Sequence, residues 1–165
     1  MAVSGLVLGG ILMASGSPAN AELQHFRDGG WDLRIEHDTF TGQTRCALGS
    51  VNRHFRYQPG AVGFRMGKHR DTLSAWYRID EGAPARWQDR TASLIGAGAV
   101  IDGPALDNPT GGWVWIPVSE VETAKVVSIR VKDKASVRRY RIGGFAPMLY
   151  AARRLGCASD DAFRI

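Results

Sequence analysis

A chain of 165 residues with 44% hydrophobic content has room for one domain with a real core, and it is too apolar to be wholly disordered. Its 21 Lys and Arg outnumber its 16 Asp and Glu and leave a net charge of +5, a balance that favours acidic partners such as anionic glycans, lipid head groups or nucleic acid.

The first 21 residues carry no charged side chain. Leu6 to Met13 is a short apolar run, broken by Ser15-Gly16-Ser17-Pro18 and followed by the small residues Ala19-Asn20-Ala21. This pattern predicts a secretory signal, residues 1–21, cleaved before Glu22, although the usual Lys or Arg ahead of the run is missing. The run is too short to span a bilayer, and no later segment is apolar enough to cross one. The mature chain is then one domain, 22–165, in the periplasm or outside the cell. In that oxidising setting the two cysteines, Cys46 and Cys157, predict one structural disulfide. They lack the Cys-x-x-Cys spacing of a redox pair.

Glu22 to Gly30 is polar and reads as a loose lead-in. Trp31, Leu33 and Ile35 alternate with Asp32, Arg34 and Glu36, which predicts a half-buried strand. Thr41-Gly42 turns the chain into a second strand carrying Thr44, Cys46 and Leu48. Phe55 and Tyr57 share one face of a basic stretch, and Val62, Phe64 and Met66 alternate after the Pro59-Gly60 turn. Trp76 to Trp87 predicts a hairpin, with Asp80-Glu81-Gly82 as a turn and Gly82 in the left-handed position. Leu94 to Ile101 is apolar but glycine-bearing, so strand and loop both fit.

Residues 102–112 read as a long loop. Trp113 to Ile116 is a short strand stopped by Pro117, and Ser119 suits the cap of a short helix. Val127, Ile129 and Val131 alternate with Ser128, Arg130 and Lys132, and Val137 to Ile142 is the hairpin partner across Asp133-Lys134. Phe145, Met148, Leu149, Ala152 and Leu155 follow helical spacing, with Pro147 in the first turn and Gly156 at the stop. The last residues read as a tail. The fold class is mainly β: an antiparallel, sandwich-like arrangement with one C-terminal helix and one disulfide.

Motifs for catalysis are absent. His25, His37, His54 and His69 show no metal-ligand spacing, so neither a metal nor a cofactor is expected. No Gly-x-Ser-x-Gly elbow exists. Gly96-Ala97-Gly98 is a lone Gly-x-Gly, best read as backbone freedom. Glu36 and Asp38 share a strand face, but a carboxylate pair is recognised by its separation in space. The binding candidates are Arg130 and Lys132 on one face of their strand, Arg139 and Arg141 on one face of the next, and Trp113 with Trp115, which point the same way. Paired as a hairpin, the four cations form a basic patch that either recruits anions or meets acidic neighbours. The two tryptophans either stack on a partner or belong to the core.

Three segments carry a resemblance. Tyr77-Arg78-Ile79-Asp80 is followed by Pro84 and Trp87; Ala124, Val126-Val127 and Ile129-Arg130 come next; Tyr140-Arg141-Ile142-Gly143-Gly144-Phe145 leads into a helix closed by Gly156-Cys157. This order resembles small bacterial periplasmic proteins, including an accessory protein found with type VI secretion clusters. The stretch from Trp31 through Thr44-Arg45-Cys46-Ala47-Leu48 is similar to exported proteins of the invasion-associated locus B type. The resemblance implies a non-enzymatic periplasmic protein with a β-rich core and no catalytic residues. The expected function is therefore a structural or binding role in the cell envelope, engaging a protein or an anionic glycan or lipid rather than nucleic acid. The alternatives are a periplasmic hydrolase built from dispersed Asp, Glu and His, and an inhibitor or immunity protein of a periplasmic enzyme.

Overall fold

The computed structural model of the chain describes residues 22–67, 72, 74–99, 112–131, 136–157 and 162–163. The expected signal segment, most of the 102–112 loop and the Asp133-Lys134 turn lie outside the described residues. The elements in order are β1 (Glu22–Asp28), β2 (Trp31–His37), β3 (Thr44–Ser50), β4 (Phe55–Gln58), β5 (Ala61–Gly67), β6 (Trp76–Ile79), β7 (Ala85–Arg86), a 3-10 turn (Trp87–Arg90), α1 (Thr91–Gly96), β8 (Gly112–Pro117), α2 (Val118–Val121), β9 (Val126–Arg130), β10 (Arg138–Arg141) and α3 (Phe145–Arg154).

The strands form two antiparallel sheets, ordered β1-β2-β3-β4-β5-β8 and β10-β9-β6-β7. Period-two alternation sets the inner face of each. In the six-stranded sheet Leu33, Leu48, Phe64 and Val114 turn inward; in the four-stranded sheet Tyr77, Val127, Ile129 and Tyr140 do so, and all belong to one buried core. The sheets meet where the Phe64 and Tyr140 rings lie 5.1 Å apart and the Tyr140 hydroxyl donates to the Arg65 carbonyl at 2.6 Å. The mainly β, sandwich-like class holds, with α3 as the C-terminal helix.

Helix α3 closes the core by its buried residues Phe145, Met148, Leu149 and Ala152. The Phe145 ring lies 4.9 Å from Trp31, whose indole N–H donates to the Ile142 carbonyl at 3.1 Å. Gly156 ends the helix at φ 104, and the Cys157 amide returns to the Ala152 carbonyl at 3.0 Å. That turn delivers Cys157 to Cys46 on β3, and the two form the expected disulfide across 111 residues of sequence.

Five sequence expectations change. Glu22–Asp28 is an edge strand paired with β2 along its whole length; its seven exposed side chains hide the pattern from sequence. The region around Leu94 forms α1, with Leu94 its buried residue. In the β6–β7 turn the left-handed residue is Asp80 (φ 47), because its carboxylate accepts the backbone amides of Lys125 and Val126 at 3.1 and 2.8 Å. Ser119 sits inside α2, whose N-cap is Pro117. At the C-terminus, Phe163 is buried with its ring edge-on to Tyr57 at 4.8 Å, so part of the expected tail is core. No helix among the described residues is long and apolar enough to cross a membrane.

In the chain-entropy picture, a closed loop of roughly 100 residues restricts the unfolded chain by about 4.7 kcal/mol. The Cys46→Ala/Cys157→Ala variant is therefore expected to melt roughly 10–20 °C below the oxidised wild type. Calorimetry checks this, and a drop under about 2 °C would show that the bridge does not staple the fold.

Candidate functional site

Strand β9 carries the site because its core face is fixed. Val127 and Ile129 are fully buried, so Ser128 and Arg130 must emerge on the opposite face. Register then sets their neighbours. Ser128 lies between Arg78 of β6 and Arg139 of β10; Val126 faces Arg141; Arg130 faces Trp76. The result is a groove of about 710 Å³ along the outer face of the four-stranded sheet. Arg78, Lys125, Arg139 and Arg141 supply its positive charge, and Ser128 lies at its centre between the flanking strands.

Two carboxylates, Asp80 and Glu81, lie at the same groove. Asp80 is occupied by the backbone amides of Lys125 and Val126. Among the described residues Arg78, Arg139 and Arg141 enter no ion pair. Three guanidinium forks on the two strands that flank β9 fit oxygen anions of the carboxylate, phosphate or sulfate type. In the next row the Arg86 guanidinium lies over the Trp76 ring at 4.8 Å.

The expected binding residues are thus divided. Arg139 and Arg141 line the groove, and Arg130 lies on the same face one row away. Lys132 lies outside the described residues. Trp113 and Trp115 are on the other sheet: β8 pairs with β5, and the core residues Val114 and Ile116 force both indoles onto the outer face of the six-stranded sheet. There the rings stack at 5.8 Å with 22° between planes, under the Arg56 guanidinium at 4.3 and 5.1 Å. Trp115 is buried, because its ring lies over Gly63, where a Cβ would come within 2.5 Å of it. Trp113 is half-buried. Sequence reasoning left Arg78 out of the patch. Its signal was the strand parity that it shares with Trp76 and Asp80, but only the β6–β9 register brings it beside Ser128.

The outer face of the six-stranded sheet holds a second charged group. Asp32 is buried and accepts the Arg27 and Arg34 Nε–H groups at 3.0 Å each, with His25 Nε2 also in contact. Burial alone would raise its pKa; the hydrogen bonds from His25, Arg27 and Arg34 outweigh burial and hold the carboxyl down to about 2. Elsewhere, Tyr77 donates to Glu120 at 2.7 Å and accepts from Arg90 at 3.1 Å, tying β6 to α2. Burial first and Glu120 second push its hydroxyl up to about 12.

Glu36 lies on β2, and Asp38 follows the last residue of that strand. Asp38 accepts the Phe40 and Thr41 amides at 2.9 and 3.1 Å, and these bonds, the Thr41 one foremost, lower its pKa and fix the β2–β3 turn. Among the described residues no three His, Cys, Asp or Glu side chains converge as a metal site. Comparison of the chain with protein-family models, with curated proteins and with solved structures finds no match.

Because the folded pKa of Asp32 lies below its unfolded value, its ion pairs contribute above about pH 4 and are lost as the pH falls through about 2. Arg27 and Arg34 are 57% and 50% exposed, so solvent screening reduces the contribution. Asp32→Asn is expected to cost about 1–2 kcal/mol at neutral pH. Urea melts across pH should show the gap from wild type closing towards pH 2; a gap independent of pH would contradict this origin.

Proposed function

We propose that the protein is an exported, non-enzymatic component of the bacterial cell envelope that binds an anionic partner on the outer face of its four-stranded sheet. The observation that carries this reading is the convergence of Arg78, from β6, and Arg139 and Arg141, from β10, on the groove along β9 that holds Ser128. Their forks match carboxylate, phosphate and sulfate groups of acidic glycans and lipid head groups. The Cys46–Cys157 bridge suits an oxidising compartment such as the periplasm. Occupation of Asp38 by turn amides favours binding over a dispersed hydrolytic site. The likeness to type VI accessory proteins and to invasion-associated locus B proteins belongs to the same proposal and agrees with it in class.

The test uses a polyanion. The oxidised protein is expected to bind dextran sulfate at low salt and to release it as screening shortens the reach of each charge below about 10 Å. Arg139→Gln/Arg141→Gln is expected to weaken binding about tenfold or more, equivalent to about 1.4 kcal/mol. Arg153→Gln/Arg154→Gln, on exposed positions of α3, should leave affinity unchanged. Equal loss in both double variants would reduce the interaction to net charge and refute a built site.

A further inference from the structure

Of the described residues that line the basic groove, Ser128 alone is buried. It is 7% exposed although it stands on the outer face of β9, because the longer Arg78 and Arg139 side chains flank it in register on β6 and β10. Among the described residues no hydrogen bond holds its hydroxyl, which faces the groove. A hydroxyl withdrawn from bulk water is costly without a partner, and the open side here is the groove.

The donors around Ser128 come from three directions. Arg78 approaches from β6 and Arg139 from β10, each about 5 Å to one side. The hydroxyl rises from the floor between them. One guanidinium fork already satisfies both oxygens of a planar carboxylate. The second fork and the hydroxyl would then lack an acceptor. A phosphate monoester presents three terminal oxygens on a tetrahedral centre. Each fork and the hydroxyl can take one of them, and the ester oxygen then points out of the groove.

Charge favours the same class. Towards the Val126 end, Arg141 and Lys125 are offset in net charge by Asp80 and Glu81, two cations against two carboxylates. The surplus lies in the Ser128 row, where Arg78 and Arg139 supply two positive charges and no lining carboxylate stands. A phosphate monoester carries close to two negative charges at neutral pH. A carboxylate, a sulfate monoester or a phosphate diester carries one. We infer that the groove takes a phosphate monoester, its phosphoryl group clamped over Ser128 between Arg78 and Arg139. A phosphorylated sugar and the head group of a monoester phospholipid both present that chemistry. This preference rests on the anion site proposed above and narrows its ligand class.

The probe is glucose 6-phosphate, titrated into the oxidised full chain at about pH 7.5 with the Ser128 and Arg139 amides followed by NMR. Saturable shifts in the millimolar range are expected, with glucose 6-sulfate and glucuronate about tenfold weaker. As the pH falls through about 6, the phosphate ester gains a proton and loses its second charge. Its affinity is then expected to drop about fivefold, whereas that of the sulfate ester stays constant over the same range. Arg78→Gln should weaken glucose 6-phosphate about tenfold and Ser128→Ala about fivefold. Both substitutions lie on the outer face and leave the buried Val127 and Ile129 in place. Arg153→Gln/Arg154→Gln should change nothing. Vesicles separate the two sources. Retention on phosphatidate vesicles above phosphatidylglycerol vesicles assigns the ester to a lipid, and shifts with the soluble ester without retention on either assign it to a free sugar phosphate. Equal affinity for the three soluble probes, a pH response shared by the sulfate, equal retention on both vesicle types, or unaltered binding in both Arg78→Gln and Ser128→Ala would overturn the phosphate assignment. Dextran sulfate binding retained beside such a result would leave the general anion site standing, and loss of both would remove it as well.

Discussion

Burial of Val127 and Ile129 fixes where every charge of the four-stranded sheet points. Each apolar side chain taken fully out of water contributes about 1.5–3 kcal/mol. A slip of one residue along β9 would turn both to the outer face and put Ser128 and Arg130 on the core face in their place. The register is therefore held by the core, and the outer face follows from it. Arg78 and Arg139 come to flank Ser128 because Tyr77 and Tyr140 on the same strands must face inward.

That constraint also explains how like charges are tolerated. Arg78 and Arg139 are two strand spacings apart, about 10 Å, which is comparable with the screening length at physiological salt. The small Ser128 between them leaves the groove open instead of filled. Cohesion comes from elsewhere: the Cys46–Cys157 bridge fastens the end of α3 to β3, and Trp31, Phe145 and Tyr57 pack where the helix meets the six-stranded sheet. With the core stabilised on that side, the four-stranded sheet can carry a charged outer surface.

Much of this fold is legible in the sequence, and the boundary of legibility has physical causes. Alternation exposes β2, β3, β5, β9 and β10, because each has one face in the core. The helical spacing from Phe145 and the stop at Gly156 give α3, and two cysteines in an exported reading give the bridge. Strand β1 is hidden because backbone pairing, not side-chain burial, makes it a strand. The positive φ of Asp80 is hidden because the amides that hold it, on Lys125 and Val126, are about 45 residues away. For the site, Arg139 and Arg141 were visible as a basic hairpin. Arg78 and the placement of Trp113 and Trp115 on the other sheet were not, since strand order is a non-local property.

The central claim is that anions are taken by the face that β9 organises. Amide chemical-shift mapping with a short sulfated oligosaccharide tests it most directly. Perturbations are expected to centre on Ser128, Arg78, Arg139 and Arg141. Perturbations confined to the six-stranded sheet and α3, with Ser128 and its neighbours unmoved, would contradict it.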